Sequence, residues 1–590
     1  MDIDILKETT DLERFWTARD DRMRRDRVII NLIRSENQKL DKTKWISNEP
    51  KVLYDTAVSL LSSYPPRFRL PLTVNYELEE KTKVNKAERF LLGIFRSLDD
   101  RNMGIGGRGT SYWRRELAYW ICSGWWSVFT RVENRNGEVK FYADIFDPIT
   151  IYPQWDSDGL TRCVRTYLTD KQTAISMATN WKLKGLDVEL KEPLNNVKVI
   201  NYWFNDRGKI YNAILFDEQV VKPLTEEKLF DHIPIAVGAV GVPERDTPQW
   251  KERWGENIIA SNRDMFEYEN LMVSLMSTIV AETAYPNIVT TTPTGAPAVK
   301  AEDMKGYSDV VPLKLGEKIE LLKHAATPTE VNTLLSWVNK QRQKGGFADV
   351  VYGGVMFETS GFALSQLMAT LKYKLAPYWV SMEKLIAAIG SELLYQYKKG
   401  KFPKITLTTT DPQAMKKGLF FVEDFGPKDV PDHLYIDVTI PMTSAVEKTQ
   451  QILYARQALQ PPQLLSRETI WDEYLDVQDS DQEYARIIQD EVTELPIVKQ
   501  IGVIESLKDK ARDYRAVGNV AAADTLDKYI KMMENSLLQP AAPTKPEGIR
   551  PETMPPEMMQ SPDMMRSAMG VAPPGLARRR QTPEERAETK

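Results

Sequence analysis

The chain has 590 residues, a formal net charge of −5, 42% hydrophobic and 27% charged residues, and an isoelectric point near 5.7. That length calls for several domains, and the acidic balance argues against a protein that coats nucleic acid with its whole surface. Only Cys122 and Cys163 occur, so no disulfide framework is expected, as for a chain folded in a reducing cytoplasm.

The start, Met1-Asp2-Ile3-Asp4, is acidic and unlike a signal peptide. No run reaches the ~18 apolar residues of a membrane span. Residues 117–129 come nearest, and Ser123 and Gly124 interrupt them. A soluble chain is expected. Residues 1–100 carry helical, polar patterns, and the Asp-, Glu- and Arg-dense run 11–34 is expected to be a solvated face. Residues 111–126 hold Trp113, Trp120, Trp125 and Trp126, an aromatic set expected in a core or subunit interface.

Between residues 128 and 230 the hydrophobic period becomes two. Asn134-Arg-Asn-Gly137, Asp156-Ser-Asp-Gly159 and Asn205-Asp-Arg-Gly208 punctuate β-rich runs, so antiparallel sheet is expected. Ile258, Ile259, Met265, Met272, Leu275, Met276, Ile279 and Val280 then make a helical stripe over residues 256–283. Such a helix is roughly 42 Å long at 1.5 Å per residue, and Tyr285-Pro286 ends it. Beyond a Pro- and Thr-rich insert, Thr327-Pro328-Thr329-Glu330 is a capping box that opens a second helix. Lys340, Arg342 and Lys344 sit in its last turns and Gly345-Gly346 stop it.

An apolar, glycine-punctuated loop follows, containing Phe347, Val350, Val351, Tyr352, Gly353, Gly354, Val355, Met356 and Phe357. Ordinary surface loops are polar, so this one should touch something. Thr359 or Ser360 caps a third helix of almost forty residues in which Pro377 predicts a bend. Short strands are expected at 404–410 and 434–440, and helices at 446–458, 466–475, 481–493, 498–515 and 520–537. Past Gln539 the chain is rich in Pro and Met, which predicts disorder.

Catalytic signals are weak. Gly104-Ile-Gly-Gly-Arg-Gly109 fits a phosphate-loop spacing, but Thr110 stands where the lysine belongs, and a helical segment precedes it instead of a strand. His232, His324 and His433 lack partners at metal-ligand spacing. No enzyme activity, cofactor or metal is expected.

The run Trp254-Gly255-Glu256-Asn257-Ile258-Ile259, the long helix, the insert, the shorter helix, the glycine loop and Thr359-Ser360-Gly361-Phe362-Ala363 together resemble a tailed-bacteriophage portal protein. So do Trp45-Ile46-Ser47-Asn48-Glu49-Pro50, Phe146-Asp147-Pro148 with Ile151-Tyr152-Pro153, and Leu464-Leu465-Ser466-Arg467-Glu468-Thr469-Ile470-Trp471. The resemblance covers roughly residues 10–535 and rests on element order and short motifs.

The resemblance implies an α+β, multi-domain subunit. Its wing would comprise 1–253 and 360–442, its stem helices 254–284 and 327–344, its clip 285–326, its tunnel loop 345–359 and its crown 443–538, ahead of a disordered tail at 539–590. It implies a ring of twelve copies at one capsid vertex of the virion, assembled in the host cytoplasm. Double-stranded DNA would pass through that ring during packaging and ejection. The large terminase, a head-completion or adaptor protein, and the major capsid protein or scaffold would dock on it, and no membrane is involved.

Within that picture Glu256, Asp264, Glu267 and Glu269 give an acidic channel wall that repels phosphates. Lys340, Arg342 and Lys344 give a basic ring that pairs with them, or simply complement the helix dipole. The alternatives are a scaffold or minor capsid component, and a degenerate nucleotide-dependent motor.

Overall fold

The structure is a computed structural model. It describes residues 4–33, 45–71, 78–104, 109–135, 137–180, 196–247, 249–284, 288–293, 313, 315–321, 329–347, 361–408, 422–441, 445–460, 464–475, 484, 487–488, 491–492, 495–516 and 520–538. The chain divides into two compact units, Met1–Ser480 and Asp481–Lys590.

In the first unit, helices α1 (Ile5–Ile30) and α2 (Glu49–Ser62) precede strand β1 (Arg67–Arg69), helix α3 (Leu78–Met103) and helix α4 (Trp113–Cys122). The sheet region follows with β2 (Trp125–Arg135), β3 (Glu138–Ile145), β4 (Ile151–Trp155), β5 (Leu160–Asp170), helix α5 (Lys171–Asn180), β6 (Asn196–Asp206), β7 (Lys209–Phe216), β8 (Gln219–Glu226) and β9 (Ile235–Ala239). Two antiparallel sheets result, ordered β3-β2-β9 and β4-β5-β6-β7-β8. The expected turns join β2 to β3, β4 to β5 and β6 to β7. In each, an Asn or Asp side chain accepts a backbone N–H inside the turn: Asn134 from Gly137 at 3.1 Å, Asp156 from Asp158 at 2.8 Å and Asn205 from Gly208 at 3.0 Å.

After a short helix α6 (Trp250–Arg253) come helix α7 (Arg263–Ala284), the hairpin β10 (Ile288–Thr291) with β11 (Lys318–Leu321), helix α8 (Thr329–Gly345) and helix α9 (Gly361–Lys399). Helix α9 is continuous through Pro377. Strand β12 (Ile405–Thr408) pairs with β13 (Val422–Phe425), and β14 (Asp437–Thr439) pairs with the distant β1. Helix α10 (Ala445–Ala458) and a turn capped by Ser466, whose hydroxyl accepts from the Thr469 amide at 3.1 Å, close the described part of this unit.

The largest core gathers α2, α3, α4 and the C-terminal half of α9 around Tyr54, Leu91, Phe95, Leu117, Ile389 and Leu394, all fully buried. A second core lies where α1 packs on one face of the five-stranded sheet through Trp16, Met23, Val164, Ile200 and Tyr202. Trp113 and Trp125 are buried and Trp120 and Trp126 half-buried, so the aromatic segment packs as core. In the second unit, helices α11 (Pro496–Ala516) and α12 (Val520–Leu538) form a hairpin that buries Ile504, Ala511, Ala523 and Ile530 and pairs Lys508 with Glu534 at 2.7 Å. The expected crown, 443–538, therefore straddles the boundary between units.

Two expectations are corrected. The run 11–34 is solvated on one side only: Asp11, Arg14, Asp21, Arg24 and Arg25 are exposed, whereas Arg19, Asp20, Arg22 and Asp26 of α1 are all buried. Asp20 pairs with its neighbour Arg19 at 2.7 Å, and the other hydrogen-bonding partners are distant in the sequence. Arg19 packs against the Trp16–Trp125 pair with its carbon Cζ 4.9 Å from each ring centre, and donates to the Ile151 carbonyl at 2.9 Å. Arg22 donates to the carbonyls of Glu252, Trp254 (3.1 Å) and Gly255 (2.7 Å).

The stem helix starts at Arg263, not near Glu256. Gly255 has φ +72° and Gly124 has φ +94°, and a Cβ on Gly124 would stand 1.9 Å from the Gly255 carbonyl oxygen. This close backbone approach keeps the segment out of the α-helix, and a turn at 258–259 and a 3-10 turn at Ala260–Asn262 lead into α7. The Ile258 amide then bonds the Cys122 carbonyl at 3.0 Å, which draws Ile258 and Ile259 into the main core instead of onto a helix stripe.

The capping residues Thr327 and Pro328, loop residues 348–360, most of the insert and the tail 539–590 lie outside the described residues. So do residues 105–108. The glycines flanking them follow helix α3 and precede α4, a helix-to-helix connection as the sequence suggested.

Candidate functional site

Helices α7 and α8 form an antiparallel pair whose joint is built at one end. Arg342, in the last turn of α8, donates to both carboxylate oxygens of Glu269 at 2.8 Å and pairs with Glu49 at 2.5 Å, where α2 begins. Its side chain is 13% exposed and that of Glu269 10%. Asn262, in the turn before α7, donates to the Arg342 carbonyl at 2.8 Å, and a Cβ on Gly345 would collide with the Asn262 side chain at 1.9 Å. The Arg342 carbonyl at the α8 C-terminus thus has a partner, and the Asn262 side chain fills the space beside Gly345 between the two helix ends.

The residues that carried the resemblance are the fasteners of this joint. The amides of Trp45 and Ser47 donate to the α7 side chains Ser274 (2.9 Å) and Asn270 (2.8 Å), and Glu49 reaches Arg342. Asp147 holds Arg27 of α1 bidentately, with the longer bond at 2.9 Å, and the Pro153 carbonyl accepts from Trp16 at 3.0 Å. Asp26 of α1 takes Arg263 at the head of α7, and Arg22 grips the Trp254-Gly255 turn. One charged helix therefore locks the start of the stem to the sheet. Burial lowers the Arg22 pKa to about 10, with Asp26 opposing the shift.

The site residues expected from sequence separate into two groups. Arg342 and Glu269, placed in a basic ring and an acidic wall, pair with each other, Glu269 buried and Arg342 partly so, and neither is free to meet a phosphate. The three cations near the end of α8 differ because Arg342 faces α7 while Lys340 and Lys344 lie on the exposed side of the helix. Asp264 and Glu267 are exposed on α7. Glu256 is exposed ahead of the helix, 3.9 Å from Arg263.

Among the loop residues, Phe347 is buried in the main core. Val350, Val351, Tyr352, Gly353, Gly354, Val355, Met356 and Phe357 lie outside the described residues. Lys374 of α9 donates to the Gly346 carbonyl at 3.0 Å and stands 6.0 Å from the Phe347 ring centre, and burial lowers its pKa to about 8. The root of the loop is thereby tied to the long helix.

Asn262, Asn270 and Ser274 were missed in the sequence because polar residues on a helix face look solvated. The available signal was the spacing of Asn270 and Ser274, four residues apart on one side of α7, with Asn262 eight residues earlier in the turn before it. Among the described residues no cluster of His, Cys, Asp and Glu could hold a metal ion, and no helix is long and apolar enough to cross a membrane. Cys122 and Cys163 are unpaired and buried.

No protein-family model matches this chain, and no curated protein matches its sequence. Among solved structures it is similar to a chain described as the neck of an empty GTA particle computed with C6 symmetry. The identity is 10%, the match covers 72% of this chain and 89% of that one, and the TM-score is 0.36.

Proposed function

We propose that this chain is the portal subunit of a tailed phage. In this reading it forms a closed ring at one capsid vertex through which double-stranded DNA enters during packaging and leaves during ejection. The observation that carries the reading is the antiparallel pair α7 and α8, with a β-hairpin insert at one end and a buried ionic joint at the other, fastened to an α+β body by α1.

Such a pair suits a rigid channel segment. Tyr268, Leu271, Leu275 and Val280 of α7 and Trp337 of α8 are between 37% and 62% exposed in the single chain. Apolar stripes of this kind are satisfied by neighbouring copies, and head-to-tail contacts between copies close into rings. The insert 285–326 would face the large terminase and later the head-completion proteins. The body would seat in the shell formed by the major capsid protein or scaffold, and the loop entered at Phe347 would reach toward the DNA.

Twelve chains of 67.6 kDa make a particle of about 0.8 MDa. Mass photometry and negative-stain imaging of the purified chain should show closed rings of that size with a central hole. Monomers or dimers alone, at micromolar concentration and near-physiological salt, would sink the proposal.

A further inference from the structure

The exposed sides of α7 and α8 carry opposite charge at matching heights. On α7, Asp264, Tyr268, Leu271 and Leu275 are exposed at the spacing of a single helix face, with Glu267 beside them. On α8, Thr333, Trp337, Lys340 and Lys344 are exposed at the same spacing. The Arg342–Glu269 pair and the Gly345–Asn262 contact set the two helices in register. Counting along them at ~1.5 Å per residue places Lys344 at the height of Asp264 and Glu267. The same count places Trp337 between Leu271 and Leu275.

Within one chain these faces cannot cover each other, because the inward faces are already joined through Arg342 and Glu269. Rotation about an axis parallel to the helices, the operation that builds a ring, preserves height. It brings the outer face of α8 on one copy against the outer face of α7 on the next, acid opposite base and Trp337 opposite the two leucines.

Resting on the portal reading, we infer that these two faces form the contact between neighbouring copies, with Lys340 and Lys344 pairing across it with Asp264 and Glu267. The lysines and the acids then serve assembly instead of lining the DNA path. The charges fix the vertical register of the ring, and Trp337 with Leu271 and Leu275 supplies the apolar burial.

The test uses two full-length variants, Asp264→Lys/Glu267→Lys and Lys340→Glu/Lys344→Glu. Either alone sets like charges against each other at every contact, so ring formation seen by mass photometry should fall roughly tenfold or more. An equimolar mixture places opposite charges at every contact of an alternating ring and should restore assembly. A pairing confined within one chain predicts no such rescue.

A second measurement uses Leu271→Cys/Trp337→Cys, which under mild oxidation should give a covalent ladder of oligomers. Cys122 and Cys163 are buried, and burial raises both thiol pKa values, so they stay out of the reaction. Normal rings from either reversed variant, no rescue on mixing, or a cysteine variant that stays monomeric on oxidation would overturn the inference while leaving the portal reading intact. Absence of rings from the unmodified chain would instead overturn the portal reading.

Discussion

Helices α1 and α8 look alike in the sequence, each a polar helix with cations toward its end, yet their charges meet opposite fates. In α1, Arg19, Asp20, Arg22 and Asp26 are buried: Arg19 pairs with Asp20 and meets indole rings, Arg22 meets backbone carbonyls, and Asp26 takes the cation of Arg263. In α8 only Arg342 turns inward, while Lys340 and Lys344 stay in solvent. A guanidinium offers a planar fork of donors that several acceptors can satisfy at once, whereas an ammonium is compact and strongly hydrated. The cations turned inward at these two joints are all arginines, and the exposed α8 cations are lysines.

The sharpest way to break this comparison is Arg22→Ala. It strands three carbonyls and leaves Asp26 beside a cavity, so the first unfolding transition of the chain should lose about 3 kcal/mol or more. Denaturant unfolding followed by tryptophan fluorescence measures this, because Trp16, Trp125, Trp155, Trp250 and Trp254 cluster around the site. A loss below about 0.5 kcal/mol, the size of an ordinary surface change, would show that α1 is not held by its charges.

A smaller effect separates neighbours on α8. Arg342→Ala should cost the isolated subunit about 2 kcal/mol, since it leaves Glu269 buried without its cation. Lys340→Ala should stay within about 0.5 kcal/mol. Hydrogen exchange along α7 and α8 reads both, and equal effects would erase the distinction drawn between the two cations.

The smallest effect concerns His232, whose Nε2 lies 2.6 Å from Glu392 of α9. The hydrogen bond to Glu392 raises the His232 pKa above its ordinary 6.5, against a lowering by burial. The contribution of this contact is therefore complete below about pH 6.5 and fades as pH rises through the raised folded-state value. His232→Asn should flatten that dependence in thermal melts at pH 5 to 9. An unchanged slope would mean that another group titrates there.

Much of the fold was legible because its signals are local. The turn at Asn205–Gly208 and its relatives specify hairpins by backbone geometry alone, and Ser466 marks its helix start by a bond to an amide three residues away. Strand β1 carried no such signal. It is three residues long and exists through pairing with β14, which lies far away in the chain. Likewise Ile258 and Ile259 continue a helical period, yet the Gly124–Gly255 approach and the Cys122 carbonyl pull them into the core.

By itself, then, the sequence determined the elements whose causes lie within a few residues: the antiparallel hairpins, the three helices around the insert and the glycine stop after α8. It also placed the cations in the last turn of α8, where the helix dipole favours them. Only the tertiary structure decided which charges are buried, where α7 begins and that Arg342 belongs to Glu269 and Glu49. The physical reason is that a charge enters the interior only when distant segments bring enough donors or acceptors to replace its water. The identity of those segments is a property of the packed chain.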